Sequence, residues 1–342
     1  VDDCDGLVGS NSYCPHRWGH RIYQVPKAEA YLSLTVANRA AMSGDEQGGC
    51  PALEGELCVV TGANGGIGRE VAGGLMADGA HVILGCRNMN RCEDAKRDLD
   101  SRGYRGSCAC SRLDLGDVSS IREFAAGVER DPRGGLKLLV NNAGVMGCPR
   151  DGPRPEDDGH LWPNHLGPFH LTNLLVPALK PGARVVNVAS RAHQQGSLRI
   201  AKSKESGELG IQGRPWTWYG CYARSKLCNI LHAAELQRRF DVAGRRCTSY
   251  SVSPGVVSTG IFSNLQWAPL RWLLTPLVSR FFQTPEQGAR KVLQACTSPA
   301  LEGRHVLYLH GGKESTPSAM ARDPVLAQQL WAASEALIGR GR

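Results

Sequence analysis

A tyrosine and a lysine four residues apart are the strongest chemical signal in the chain. The run Tyr222-Ala223-Arg224-Ser225-Lys226 places the phenol and the ammonium on one face of a predicted helix. A free tyrosine has a pKa near 10 and is a poor acid–base catalyst at neutral pH. Because a nearby cation favours the phenolate, we expect Lys226 to lower the pKa of Tyr222. The pair could then transfer a proton, although such a pair on a solvated helix face often has no function.

Ser190 and Asn164 are two further polar side chains with candidate chemistry. Ser190 ends the apolar run 184–189, where its hydroxyl could bind a substrate oxygen as charge develops. A serine that only caps the turn is the alternative. Asn164 precedes an apolar helical pattern and could be a simple N-cap residue. Pro163 has no backbone N–H, so the helix should begin or kink there.

A glycine-rich turn follows the first predicted strand. The run Thr61-Gly62-Ala63-Asn64-Gly65-Gly66-Ile67-Gly68 lies between a strand and a helical pattern. Glycines allow the backbone to approach a pyrophosphate, and the free N–H groups at the start of the helix attract its charge. The spacing Gly-x-x-x-Gly-x-Gly is one residue longer than the common dinucleotide fingerprint, and an ordinary strand–helix turn is the alternative. The order strand, turn, helix favours a dinucleotide site.

The end of the second predicted strand indicates which dinucleotide binds. About 20 residues after the glycines, an NAD-binding chain places an acidic residue on the ribose 2'-hydroxyl. This chain has Cys86-Arg87 there. A guanidinium pairs with a 2'-phosphate, whereas a carboxylate would repel it. NADP(H) is therefore the predicted cofactor, with a solvated arginine at a strand end as the alternative for Arg87.

Short apolar runs alternate with helical patterns from Leu57 onward. This order predicts an α/β fold: a doubly wound (Rossmann) parallel seven-stranded sheet with helices on both faces, in a single domain. The predicted strands are 57–61, 81–85, 109–113, 136–140, 183–189, 247–252 and 305–309. The predicted helices are about 67–78, 90–101, 117–130, 165–180, 222–240, 285–297 and 323–338.

Two stretches stand apart from this alternation. Residues 1–52 are rich in glycine and polar residues, and we predict a poorly ordered extension before a domain at 53–342. Residues of about 260–284 are apolar with interspersed arginines. They are predicted to form a substrate lid that could also make peripheral contact with a membrane, or to pack on the core. No run is long and apolar enough to predict a transmembrane helix.

The composition of the chain bears on metal binding, cellular location and nucleic-acid binding. The 13 cysteines include no CxxC pair, which indicates reduced, mostly buried thiols and no metal site. Reduced thiols favour the cytoplasm or the cytosolic face of a membrane. The net charge of +8 is spread along the chain without a basic block, and no zinc spacing occurs. A nucleic-acid partner is therefore not predicted.

Eight motifs follow one another between about residues 55 and 312. They are the Thr61–Gly68 turn, Cys86-Arg87-Asn88, Leu113-Asp114-Leu115, Asn141 to Met146, Asn164 to Phe169, Val186 to Ser190 with Ala192-His193, Tyr222 to Lys226, and Pro254-Gly255-Val256-Val257 with Thr259. In this order they resemble the short-chain dehydrogenase/reductase superfamily, and within it the retinol dehydrogenase-like branch.

The resemblance implies an NADP(H)-dependent oxidoreductase that reduces a carbonyl or oxidises an alcohol, on a lipophilic substrate such as a retinoid or another aldehyde or ketone. Tyr222 would donate the proton in reduction, Ser190 would hold the substrate oxygen, and Lys226 would lower the tyrosine pKa and bind the nicotinamide ribose. Asn164 would hold a water in a proton relay. The implied cofactor contacts are Thr61, Gly62, Asn64, Gly65, Gly66, Ile67, Gly68, Arg87, Asp114, Asn141, Ala143, Gly144, Tyr222, Lys226, Pro254, Val257 and Thr259.

Three questions stay open at the level of the sequence. The 31 residues between Ser190 and Tyr222 form a longer insertion than this family generally carries, so substrate access should differ. A catalytically silent, cofactor-binding regulatory or scaffold protein of the same fold is the alternative function. A homodimer through the helices of Tyr222 and Asn164 is usual in the superfamily, but a monomer is also compatible with the sequence.

Overall fold

The inner strands of the central sheet are buried on both faces. The computed structural model describes residues 53–148, 158–202, 209–213, 217–255, 283–305 and 308–339, which all belong to one compact unit, Glu46–Arg342. Its strands are β1 (Leu57–Thr61), β2 (His81–Cys86), β3 (Ser107–Arg112), β4 (Leu136–Asn141), β5 (Leu179–Val188), β6 (Arg199–Lys202), β7 (Leu209–Gln212), β8 (Thr248–Ser253), β9 (Tyr308–His310) and β10 (Lys313–Glu314).

Within the described residues, the main sheet has eight strands in the order β10-β9-β8-β5-β4-β1-β2-β3. Every neighbouring pair is parallel except β9 and β10. Strands β6 and β7 form a separate antiparallel hairpin in the insertion before Tyr222. The chain reverses direction across the sheet between β1 and β4, and ligands bind at the carboxyl ends of the strands beside such a point.

The longer helices are α1 (Gly66–Ala77), α2 (Met89–Ser101), α3 (Val118–Glu129), α4 (Gly167–Leu175), α5 (Trp218–Val242), α6 (Pro285–Thr297) and α7 (Pro324–Gly339). Polar N-caps explain several starting points: Asn88 accepts a hydrogen bond from the backbone N–H of Arg91, and Thr284 forms a capping box with Gln287. A π-helical turn, Trp162–Leu166, precedes α4.

Successive residues of a strand pack into two hydrophobic cores, one on each face of the sheet. Val60 belongs to a cluster on the face covered by α1, α2 and α6. Its neighbour Val59 belongs to a cluster on the opposite face, with Phe124 of α3 and Phe169 of α4. Because both faces are covered, the strands read as nearly continuous apolar runs.

The predicted doubly wound sheet is confirmed, and the β6–β7 hairpin, β10 and the helix before β5 differ from the prediction. Strand β10 adds an eighth, antiparallel strand to the seven predicted. The predicted helix 165–180 is wrong at both ends, since it opens with the π-turn and α4 ends at Leu175. Pro177 lacks the N–H that would continue α4, and β5 already begins at Leu179.

Some predictions fall outside the described residues. They are the extension 1–52, Val257, Thr259 and the lid of 260–284 apart from Gln283 and Thr284. The ten cysteines of the described part are free, and eight of them are buried, as expected. No helix in that part of the chain has the length and apolar character to cross a membrane.

The C-terminal helix α7 covers the outer side of α5 with a buried tryptophan. Trp331 is 5% exposed, and its ring lies 4.7 Å from that of Phe169 and 5.8 Å from that of His232. The guanidinium of Arg239 lies over the same ring at 4.0 Å. The indole N–H donates to Glu335 at 2.7 Å. Trp331 therefore joins α4, α5 and α7 in one cluster.

Trp331→Ala should destabilise the protein by about 3–5 kcal/mol, because it removes a large buried ring and leaves a cavity. The free energy of unfolding in urea measures the change. Trp218→Ala is the control, since Trp218 is 44% exposed and should cost much less. Equal losses in the two variants would show that Trp331 is not a core residue.

Candidate active site

The glycine turn between β1 and α1 is held by close backbone packing. Gly62 has a φ of +66°, and a Cβ there would lie 2.9 Å from the Cα of Ala143. A Cβ on Gly68 would lie 2.5 Å from both the Gly62 carbonyl and the side-chain amide of Asn142. A Cβ on Gly65, by contrast, would meet nothing within 4 Å. Helix α1 has no side-chain cap and no acidic residue in its first turn. This open, electropositive start fits a pyrophosphate.

The loop after β4 is bound to this turn by Thr61 and Asn142. The Thr61 hydroxyl accepts from the backbone N–H groups of Asn142 and Ala143 at 3.1 and 3.0 Å. The Asn142 side chain donates to the Thr61 carbonyl at 2.9 Å. Thr61 is fully buried, so it positions the loop. Asn64, Gly66 and Ile67 are half-buried along the turn.

Asn141, predicted to flank the cofactor, points elsewhere. Its side-chain amide donates to Thr172 at 2.9 Å and to Asn187 at 3.0 Å, inside the protein. Asn142, which lies in the predicted motif but not among the predicted cofactor contacts, is the residue that reaches the glycine turn. The adjacent asparagines could not be told apart by type, but successive side chains in a strand face opposite sides of a sheet.

The ends of β2 and β3 form the predicted adenosine side of the site. Arg87 follows β2 and is exposed, and it makes no ion pair with the described part of the chain. Arg112 lies in register with Cys86 on β3 and is a second exposed cation that was not predicted. Asp114 accepts from the Gly116 N–H at 2.9 Å. Arg69, by contrast, is paired with Glu70 at 2.9 Å.

The predicted catalytic side chains converge at the ends of β4 and β5. Tyr222 on α5 is 7% exposed, and the Ser190 side chain lies near enough to its phenol to lower its pKa. Ser190 follows β5 and also accepts from the Ala192 N–H at 3.2 Å. Half-buried Tyr219 packs beside Tyr222 with Met146 and Ala192. A polar pair in apolar surroundings suits the binding of one carbonyl oxygen.

Lys226 lies one turn from Tyr222 and is buried. Its ammonium donates to the Val188 carbonyl at 2.9 Å and lies 5.7 Å from the centre of the Tyr222 ring. A Cβ on Gly144 would lie 3.3 Å from this nitrogen and 3.5 Å from the side-chain oxygen of Asn164. The ammonium, the asparagine and the loop after β4 therefore meet at Gly144.

The pKa of Tyr222 departs from the sequence expectation. Burial raises it to about 12, and the lowering effect of the neighbouring Ser190 offsets only part of this rise. Burial also lowers the pKa of Lys226 to about 8. The expected lowering of the tyrosine pKa is therefore wrong for this structure, because desolvation by burial outweighs the lowering effect of Ser190. At neutral pH Tyr222 is a protonated phenol.

Asn164 lies inside the π-turn, so it is not an N-cap. Its side-chain amide donates to the Val145 carbonyl and to the Ser225 hydroxyl, both at 2.9 Å, and accepts from the Val145 N–H at 2.7 Å. Pro168 has no N–H, so the Asn164 carbonyl lacks the donor that an α-helix provides four residues on. A carbonyl without that donor suits a bound water. The expected helix start or kink at Pro163 is confirmed.

The Pro254 turn after β8 completes the edge of the site. Lys291 of α6 donates to the Pro254 carbonyl at 3.1 Å and is also bonded to Gln283. Gly255 has a φ of +97°, and a Cβ there would lie 2.8 Å from the Gln283 amide. Lys291 was not predicted, because nothing in its spacing indicates that α6 supports this turn.

The geometry agrees with comparisons to known proteins. Residues 56–202 match the family described as short chain dehydrogenase. Retinol dehydrogenase 11 of Homo sapiens is 38% identical over 293 residues, which cover 84% of this chain and 87% of the human protein. The chain belongs to the short-chain dehydrogenase/reductase family. It is thus an oxidoreductase of a family that binds nicotinamide cofactors.

Further similarities place this short-chain dehydrogenase/reductase in the retinol dehydrogenase-like branch. Retinol dehydrogenase 13 of Homo sapiens is 34% identical over 323 residues, or 89% of this chain and 92% of that protein. Among solved structures, a protein from Mycobacterium paratuberculosis has a TM-score of 0.64 at 32% identity, covering 85% of this chain and 96% of the other. The predicted family membership is confirmed.

The pKa of Lys226 predicts how cofactor binding by this short-chain dehydrogenase/reductase depends on pH. Its pKa of about 8 means that the ammonium loses its proton as the pH rises through that value. If Lys226 contacts the nicotinamide cofactor as the resemblance implies, cofactor affinity should therefore fall above about pH 8, because a neutral amine attracts the anionic cofactor less. Fluorescence titration of NADPH across neutral and alkaline pH measures this. Lys226→Met should bind more weakly and lose the pH dependence; an unchanged pH dependence in that variant would assign it to another group.

Proposed function

We propose that the protein is an NADP(H)-dependent carbonyl reductase or alcohol dehydrogenase acting on a lipophilic aldehyde, ketone or retinoid. The observation that carries the proposal is the convergence of Tyr222, Ser190, Lys226 and Asn164 at the carboxyl ends of β4 and β5. These strands end beside the glycine turn, so a nicotinamide ring and a substrate carbonyl could meet there.

The residues present fit a bound dinucleotide. The uncapped start of α1 would hold the pyrophosphate, Asp114 would contact the adenine, and Lys226 would reach the nicotinamide ribose. The loop from Ala143 to Gly144 and the Pro254 turn would lie along the nicotinamide end. NADPH would supply the hydride.

The side chains would supply the proton and hold the carbonyl. Ser190 and Tyr222 would both donate to the substrate oxygen, and Tyr222 would give up its proton as negative charge develops there. The raised pKa keeps the Tyr222 phenol protonated at neutral pH but makes it a weaker acid, so the nearby ammonium of Lys226 would have to stabilise the phenolate as it forms. The proton would be replaced through Lys226 and a water on the Asn164 carbonyl.

Three features support the proposed substrate class, cofactor and cellular location. Apolar side chains, Met146, Ala192 and Tyr219, surround the Tyr222 phenol, and the similar human proteins are named retinol dehydrogenases. Two exposed arginines, Arg87 and Arg112, would pair with a 2'-phosphate. Free, mostly buried thiols support a location in the cytoplasm or at a cytosolic membrane face.

The proposal does not include a homodimer through α5, because Cys221–Ala233 is buried within the one chain.

Oxidation of NADPH against a panel of aldehydes tests the proposal, with retinal and short polar aldehydes in parallel. We expect turnover with a preference for the lipophilic members. Tyr222→Phe should lose on the order of a hundredfold or more in kcat, because it removes the acid, while still binding NADPH. If NADPH binds but no aldehyde is reduced, the chain is the cofactor-binding scaffold named above as the alternative.

Arg87→Asp should weaken NADPH binding and shift the preference towards NADH. The substitution removes a cation and adds a charge that repels the 2'-phosphate. The ratio of kcat/KM values for the two cofactors measures the shift. Arg69→Asp is the matched control, since Arg69 is already paired with Glu70 and should shift the ratio less. A strong NADPH preference retained in Arg87→Asp would indicate that Arg112 recognises the 2'-phosphate instead.

A further inference from the structure

Arg224 lies between the two catalytic residues of α5 and is buried without a part in the chemistry above. One of its terminal nitrogens lies 2.5 Å from Oδ2 of Asp158, and the two side chains are 4% and 1% exposed. The other terminal nitrogen donates to the Ile211 carbonyl of β7 at 3.4 Å. Arg224 therefore connects α5 to the segment before the π-turn and to the insertion hairpin.

Asp158 organises the start of the segment that carries Asn164. Its Oδ1 accepts from the backbone N–H groups of His160 and Leu161, both at 2.7 Å. The His160 ring bonds through Nδ1 to the Asp158 carbonyl at 3.0 Å, and its Nε2 accepts from the Cys148 N–H at 3.3 Å. The His160 carbonyl in turn accepts from the Asn164 N–H at 2.9 Å. The position of Asp158 thus sets the path of the chain into Asn164.

A second link joins the same two elements one residue further along α5. Ser225 follows Arg224 and accepts from the Asn164 side-chain amide at 2.9 Å. Consecutive residues of α5 therefore hold both ends of the segment 158–164.

We infer that the Arg224–Asp158 ion pair is a positioning pair, which holds Asn164 in line with Lys226 and Tyr222 for proton replacement. This inference rests on the proposed function. Burying two charges costs several kcal/mol of desolvation, so a buried pair is weak evidence for added stability. Its contacts with two site elements and the hairpin explain why it lies between the catalytic tyrosine and lysine. The reaction then depends on Arg224 and Asp158 although neither touches the substrate.

A double-mutant cycle on kcat tests the pair. Asp158→Asn keeps an oxygen for the His160 and Leu161 N–H groups but removes the charge, and Arg224→Gln removes the other charge. Each variant should lose on the order of ten- to a hundredfold in kcat, with NADPH affinity nearly unchanged, because misplacement affects the reacting geometry. The double variant should be no slower than the slower single one. Arg224→Lys should recover part of the loss.

Glu235→Gln is the matched control on the same helix. Glu235 is 2% exposed at its side chain and pairs with Arg238 and Arg239 at 2.7 and 2.9 Å, away from the site. This variant should lose stability in urea yet keep the parent kcat. Losses in Asp158→Asn and Arg224→Gln that multiply in the double variant, or a parent-like kcat in either, would overturn the inference.

Hydrogen exchange separates failure of the pair from failure of the proposed function. The Val145 N–H donates to the Asn164 side chain, so its exchange should become faster in Asp158→Asn and Arg224→Gln but not in Glu235→Gln. Unchanged exchange in the first two would overturn the positioning role whatever the turnover. An inactive parent whose exchange responds as expected would overturn the proposed function and retain the positioning of Asn164.

Discussion

A charged ammonium held away from water governs the catalytic end of the molecule. Lys226 is 3% exposed, and its lowered pKa shows that the folded chain disfavours the charge. Since the pKa lies below that of an unfolded lysine, the ammonium opposes folding at neutral pH, and this cost disappears as the pH rises towards the unfolded value. The Val188 carbonyl at the end of β5 compensates for part of the lost hydration. Helix α5 must therefore dock on that strand end, and the docking places Tyr222 beside Ser190.

Most of the fold could be predicted because its cause is local. Alternating apolar strands and amphipathic helices, with glycine and asparagine at the turns, are visible in a single sequence. The β6–β7 hairpin was missed because each strand has only four residues, too few for the alternation of Leu209 and Ile211 to stand out in the sequence. The π-turn was not foreseen as such, although Pro163 correctly indicated a break. Strand β10 has only two residues and exists through its pairing with β9.

The residues of the candidate site also differ in whether the sequence could predict them. Residues proposed to act by their own chemistry, such as Tyr222 and Lys226, could be selected by type and spacing. Those that act through distant partners could not: Asp158 and Arg224 are 66 positions apart, and only the folded chain brings them together. The pKa of Tyr222 also depends on how deeply the ring is buried, which spacing does not reveal. The roles of Val257 and Thr259 stay predictions, because these residues lie outside the described part of the chain.

The two prolines that flank Asn164 have a consequence for how the site meets its ligands. Pro163 precedes the asparagine and Pro168 follows it by four positions, so neither residue can donate the hydrogen bond of a regular helix. The turn around Asn164 therefore cannot change into a regular α-helix, with or without a bound ligand. The conformational entropy of the turn is lost during folding rather than during binding. The proposed water would therefore meet a carbonyl that folding has already positioned.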